Sequence, residues 1–239
     1  MTTAKLDGKK TYEYVFDYFS DQILSGKLKL HDKIPPEREI AQQLGVSRNS
    51  IREVMHMMEI NGLIECLQGS GNYVRCAPQE FMIKSVNMVM ALLKIHYTEV
   101  FHIRTGYEYT ALKLAMEAAE TEELQKMREI LLKMDQPMSS KESAALDVQF
   151  HNVLVGASHN RLLILYNSMI SELMDQFVSD FRARIMMNKS RADQLRRSHW
   201  GIYNALIHKD YPAGRAAMEK HFEVVGEQLA KFGKGQEKV

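Results

Sequence analysis

The amino-acid sequence predicts a mainly α chain in two parts, a small helix-and-hairpin module followed by an all-α bundle. Three observations carry that prediction. Apolar residues recur at three- and four-residue spacing through most of the 239 positions. The strand-like runs LIECL and NYVRC lie close together, on either side of the turn QGSG. Beyond Ala77-Pro78, a hinge-like pair, strand-like alternation disappears. The expected division is residues 1–76, a linker at 77–80, a helical domain over 81–232 and a frayed tail at 233–239.

The first helix is expected over 11–25, where Tyr12, Val15, Phe16, Phe19 and Ile23 share a face and Gly26 follows as a stop. Pro35 and Pro36 exclude a helix interior but suit a first turn. From Glu37, the spacing of Ile40, Ala41 and Leu44 predicts a short helix ended by Gly45. Val46 bridges to Ser47, a suitable N-cap for a helix that turns Ile51, Val54, Met55 and Met58 inward. Helix, short helix, tight turn, helix and hairpin is the order of a winged helix-turn-helix, whose third helix enters the major groove of DNA. The rest reads as amphipathic helices at about 79–94, 97–119, 121–134, 141–157, 160–187, 189–208 and 211–231, with Asp210 capping the last. Short loops make antiparallel neighbours the expectation.

Composition narrows the function. With 45% apolar residues the chain can bury ordinary cores, and no apolar run approaches the roughly 20 residues of a membrane span. The polar start MTTAKLDGKK has no signal-peptide core, so a cytoplasmic setting is expected. Lys plus Arg number 31 against 30 Asp plus Glu, so any attraction to DNA must come from where the charges sit. Cys66 and Cys76 form no Cys-x-x-Cys pair and read as packing on neighbouring strands.

On the third helix, Arg48 and Arg52 are one turn apart, with Asn49 and Ser50 beside them. Arginine can grip guanine or phosphate, and Asn and Ser suit base edges or backbone. Arg38 lies on the preceding helix, Ser47 starts the reading helix, and Gly69 at the hairpin tip exposes backbone amides. Two arginines on a helix also suit a solvated face, with Glu53 pairing one of them.

The segment from Ile34 to Val74 resembles the DNA-binding domain of the GntR family of bacterial regulators. The matching residues are Pro35, Glu37-Arg38-Glu39, Ala41, Leu44-Gly45-Val46-Ser47-Arg48, Arg52-Glu53, Gly62-Leu63 and Gly69-Ser70-Gly71. The resemblance implies DNA contacts by Arg38, Arg48 and Arg52 and by the wing glycine, Gly69. One position departs: Pro36 stands where relatives carry a Ser or Thr cap.

In the helical part, Asp147 and His151 are four apart on one helix face, and His199 and His221 lie on the last two helices. Three imidazoles and a carboxylate suit zinc foremost, with nickel, manganese or iron as alternatives. Each is also compatible with plain packing unless the helices converge. Arg104 can serve a ligand or pair with Glu108 one turn on.

Residues of about 81 to 232 resemble the all-helical ligand-binding domain of the FadR subfamily, called FCD. The features are Arg104 with Glu108, Asp147-x-x-Phe150-His151 followed by Asn160, then His199 and His221. The resemblance implies a divalent metal held by Asp147, His151, His199 and His221, beside a small organic acid met by Arg104. The expected protein is therefore no enzyme but a homodimeric regulator, a repressor, on a palindromic DNA operator, controlled by a small carboxylate. A direct metal sensor and a metalloenzyme fused to a DNA-binding module are the alternatives.

Overall fold

A computed structural model describes residues 10–77 and 79–232. Pro78 of the expected hinge, and the expected tail at 233–239, lie outside the described residues. The chain forms two compact units that divide between Lys84 and Ser85.

In the first unit, α1 (Thr11–Leu24), α2 (Glu37–Leu44) and α3 (Arg48–Ile60) precede a hairpin of β1 (Ile64–Leu67) and β2 (Gly71–Val74). Val15 and Phe19 of α1, Ile40 and Leu44 of α2, Ile51, Val54, Met55 and Met58 of α3, and Ile64 and Val74 of the hairpin bury one another. Tyr12 and Phe16 were expected on this inward face; both stay exposed, because the buried stripe of α1 is only as wide as Val15 and Phe19. Gly45 closes α2 at φ 67°, the left-handed conformation that β-carbon crowding disfavours in other residues. Pro36 supplies no side-chain cap to α2, whereas the Ser47 hydroxyl accepts the Ser50 amide at 3.0 Å and starts α3. The strands pair antiparallel from Ile64 with Val74 to Leu67 with Gly71. The segment 31–34 bonds to the other edge of β2, through His31 N to Val74 O and Ile34 N to Asn72 O. Cys66 and Cys76 are both exposed, and Cys76 lies beyond the end of β2, so the two are not packed on neighbouring strands.

The division falls within α4 (Gln79–Leu93), and the second unit continues through α5 (Tyr97–Ala118), α6 (Thr121–Met134), α7 (Ser140–Gly156), α8 (Arg161–Met169), α9 (Ser171–Met186), α10 (Lys189–His208) and α11 (Tyr211–Phe232). The single helix expected over 160–187 is in fact two, α8 and α9. Buried Ile170 sits between them at φ −104°, ψ 9°, outside helical geometry. No Gly or Pro marks that break, so periodicity alone ran through it. Asp210 caps α11 by accepting the Ala213 amide at 3.0 Å.

Two apolar clusters fill the bundle, and α5 belongs to both. Tyr97, Val100, Tyr107 and Ala111 pack with α9, while Leu112, Ala115 and Met116 pack with α6, α7, α10 and α11. A seam of small residues joins α10 to α11. A β-carbon on Gly201 would lie 2.9 Å from Ala217 Cβ, and one on Gly214 would lie 3.1 Å from Ala205 Cβ. As one helix ascends the seam the other descends, which makes the pair antiparallel and sets His199 opposite His221 next in register.

Gly201→Val should therefore lower stability by about 1–3 kcal/mol through overpacking, although valine has the better helix propensity. Urea unfolding of the variant measures this, and unchanged stability would show that the seam can open.

Candidate functional site

Each unit carries a cluster of the residues singled out from sequence. In the first, Arg48 and Arg52 project from the first turns of α3, with side chains 62% exposed. Their partner is Glu37 of α2 rather than Glu53. Arg52 Nη2 donates to Glu37 at 3.1 Å and Arg48 Nη2 stands 3.9 Å from the same oxygen. Glu53 instead accepts from the Asn49 amide at 2.8 Å. A carboxylate on the neighbouring helix reaches both arginines because α2 and α3 meet at the tight Gly45 turn; pairing within α3 gives Glu53 the nearer Asn49. Ser47 and Ser50 hydroxyls lie 2.9 Å apart, so both face the start of α3. Arg38 on α2 is exposed, as is Gly69 at φ 77° on the hairpin tip. The result is a polar, arginine-bearing start to α3, a helix whose opposite face is apolar and buried.

In the second unit, five helices bring buried polar groups together. Donor atoms of His151 on α7, His199 on α10 and His221 on α11 all lie within 4.8 Å of one another. His151 Nε2 is 3.4 Å from His199 Nε2, and Asp147 Oδ1 is 3.2 Å from His199 Nε2. Ligands on a coordination sphere of about 2.1 Å radius are separated by about 3.0–3.4 Å, so these spacings fit one ion. All four residues are at most 4% exposed. Nδ1 of His199 and both ring nitrogens of His221 are buried without a hydrogen-bond partner among the described residues. Buried polar nitrogens without partners are costly in a purely structural core, and a cation held among the three rings could take one nitrogen from each. Asp147 stands at the edge of the triad, its Oδ2 3.9 Å from His151 Nε2.

The surroundings set protonation. Burial drives His199 down to about 4 against the pull of Asp147, and drives His221 well below the ordinary histidine range with help from its histidine neighbours. Both are neutral at pH 7, the form that ligates metal. Burial alone would raise Asp147, but Arg182, His199 and His151 outweigh it and hold the carboxyl well below its usual value. Glu108 is likewise held ionised by Arg104 and His151 in spite of burial.

Arg104 does pair with Glu108, its Nε donating at 2.7 Å, while its Nη2 lies 3.6 Å from Asp147. Glu108 also meets His151 Nδ1 at 2.5 Å. That bond leaves His151 Nε2 facing His199, the carboxylate–histidine arrangement that orients a metal ligand. Arg182 of α9 completes the site, with Nη1 to Asp147 Oδ1 at 2.8 Å and Nε to Ser143 Oγ at 2.9 Å. Sequence reading missed Arg182 and the Glu108–His151 bond. Arg182 was findable as a charged residue on the buried stripe of Val178, Phe181 and Ile185; the bond joins positions 43 apart and left no local trace.

Residues 11–74 match the family of bacterial regulatory proteins of the gntR type, and residues 99–224 match the FCD domain. The Uxu operon transcriptional regulator of Escherichia coli is 30% identical over 94% of this chain and 88% of its own length. The chain belongs to the GntR family of transcriptional regulators, with FCD as its second domain. An Escherichia coli protein, the putative L-lactate dehydrogenase operon regulatory protein, is 28% identical over 85% of this chain and 80% of its own. The solved Streptococcus agalactiae GntR shares the fold at TM-score 0.59 and 23% identity, over 90% of this regulator and 99% of that chain. These relatives are regulators, not enzymes, and DNA binding by the helix-turn-helix follows from the family. Among the described residues, no helix of the regulator is long and apolar enough to cross a membrane.

Glu108→Ala should destabilise the metal-free regulator by about 3–5 kcal/mol, because it leaves Arg104 buried without its hydrogen-bonded carboxylate and His151 unoriented. Chemical denaturation of wild type and variant, both treated with chelator, checks this; a loss under 1 kcal/mol would mean that water takes Glu108's place.

Proposed function

We propose that this GntR-family chain binds a palindromic operator as a cytoplasmic homodimer, and that a divalent metal and a small carboxylate in its FCD domain control that binding. The observation that carries the proposal is the triad of buried, mutually facing imidazoles with unpartnered nitrogens. His151, His199 and His221 with Asp147 would hold the ion, zinc foremost; bound there, the ion would supply a positive centre with exchangeable positions.

The carboxylate follows from charge. Without metal the two buried guanidiniums, Arg104 and Arg182, are balanced by two buried carboxylates, Glu108 and Asp147. A divalent cation adds two uncompensated positive charges in a region shielded from water, where an isolated charge is expensive. An anionic effector relieves that excess. The relative named for an L-lactate dehydrogenase operon is in keeping with a small organic acid. Arg104 already holds Glu108, so the metal is the effector's first anchor and Arg104 contributes through its remaining N–H groups.

On DNA, Arg38, Arg48 and Arg52 with Ser47, Asn49, Ser50 and Gly69 form the proposed reading face. A homodimer presents two such faces, and protein two-fold symmetry calls for a palindromic site. An occupied operator blocks polymerase unless an activating contact is added, so repression is the simpler output.

Arg48→Ala and Arg52→Ala should each cut affinity for an operator selected from random DNA by the wild type, by about 1–3 kcal/mol or more, with stability little changed. Gel-shift titration reads this, and undiminished affinity in both would remove α3 as the reader. Elemental analysis of untagged protein should find metal in wild type and none in the His199→Ala, His221→Ala double variant. Equal metal content in the two would leave the triad a structural feature. With metal loaded, lactate, citrate or gluconate should raise the melting temperature; a shift with neutral sugars alone would rule out the carboxylate.

A further inference from the structure

The two buried arginines are not equivalent. Arg104 keeps a carboxylate of its own in Glu108, bonded at 2.7 Å through Nε. Arg182, 6% exposed, has Asp147 as its only ion-pair partner among the described residues, and its other contact is the neutral Ser143 hydroxyl. The Asp147 oxygen that Arg182 holds, Oδ1, is also the one that faces His199 Nε2 at 3.2 Å. An ion seated on His199 therefore draws on the same oxygen that Arg182 occupies. If Asp147 turns to the ion, Arg104 remains paired and Arg182 does not.

We propose that Arg182 makes the metal centre anion-dependent: it holds Asp147 while the metal is away and takes the carboxylate of the effector when the metal engages Asp147. The inference rests on the metal reading given above and adds to it a residue that sets the order and the coupling of two binding events. In the metal-free site Arg182 is a competing cation for Asp147 and lowers metal affinity. In the metal-loaded site it is an unpaired guanidinium beside a divalent ion, and a planar carboxylate matches its fork. Anion and metal then each tighten the binding of the other, as linkage requires of any coupled pair. The adjacent helices make this specific. Arg182 comes from α9, whereas Ser143 and Asp147 come from α7, so the exchange changes the tie between those two helices.

Arg182→Met keeps the length of the side chain and removes its charge; Arg182→Lys keeps the charge and removes the fork. Zinc affinity is measured on chelator-stripped, untagged protein by competition with a chromophoric chelator, with and without saturating acetate as a plain carboxylate. Zinc alone should bind Arg182→Met at least about tenfold more tightly than wild type, since a buried like charge has been removed. Zinc should also raise the melting temperature of that variant more than that of wild type. Acetate should tighten zinc on wild type severalfold, less on Arg182→Lys, and not on Arg182→Met. A purely structural Arg182 predicts the opposite sign, weaker zinc binding in both variants. Should Arg182→Met fail to fold, Ser143→Ala decides, because loosening the Nε contact should shift zinc affinity in the same upward direction. Zinc affinity that is unchanged or weaker in Arg182→Met, or in Ser143→Ala where it stands in, or acetate coupling that is absent from wild type or retained in Arg182→Met, overturns the role of Arg182 while leaving the metal site in place. Wild type that binds no zinc overturns the metal reading and this inference with it.

Discussion

The helical domain depends on one constraint: four charged groups and two neutral imidazoles with orphaned nitrogens are buried at a single point, so each helix that supplies them has to arrive in register. Arg104 and Glu108 come from α5, Ser143, Asp147 and His151 from α7, Arg182 from α9, His199 from α10 and His221 from α11. Burying any one of these charges alone would be prohibitive, and their mutual compensation is geometric. A shift of one turn in α9 would strip Arg182 from Asp147 and leave the guanidinium buried without its carboxylate. The apolar clusters above and below this layer provide the driving force for collapse, but they tolerate exchange among similar side chains. The polar layer does not, and it fixes which packing of the helices is the native one.

The DNA-binding unit solves a related problem at its surface. Two cationic side chains one turn apart on α3 repel each other, and Glu37 from α2, 23% exposed, is an ion-pair partner to both. Solvent screens this arrangement, so it adds little to stability. Its effect is on orientation: the guanidinium of Arg52 is held by two contacts to a residue of another helix rather than left free to rotate. The Gly45 turn makes that contact possible by bringing the starts of α2 and α3 together.

Much of this architecture was legible in the sequence because it is written in local signals. Gly45, Ser47 and the apolar stripe of α3 announce a turn, a cap and a core face within a dozen residues. Asp147 and His151 announce a shared helix face by their spacing, and His199 and His221 were singled out before any contact between α10 and α11 was visible. What the sequence did not disclose are consequences of tertiary contact. The break at Ile170 has no breaking residue, and Ile170 is itself buried in the cluster that α8 and α9 share. Glu53 looked like the partner of an arginine because it is near in sequence, yet Glu37, 15 positions from Arg52, is nearer in space. Arg182 is one of several charged residues on α9, and only its burial against Ser143 and Asp147 of α7 sets it apart.

These contacts also divide the buried polar layer into a fixed half and an adjustable half. His199 and His221 stand on the seam where Gly201 meets Ala217 and Gly214 meets Ala205, and the helices approach closely there. Those two ligands are held as a pair. His151 is fixed from outside by Glu108, itself fixed by Arg104. Asp147 is shared more widely: its Oδ1 lies between a cation on α9 and an imidazole on α10, and its Oδ2 lies 3.6 Å from Arg104 on α5. A ligand shifts a conformational equilibrium only to the extent that it binds the two states differently. On the proposed reading, the two states would differ most at Asp147, so α7 and α9, tied through Asp147 and Arg182, would be the part of the domain on which occupancy of the centre acts.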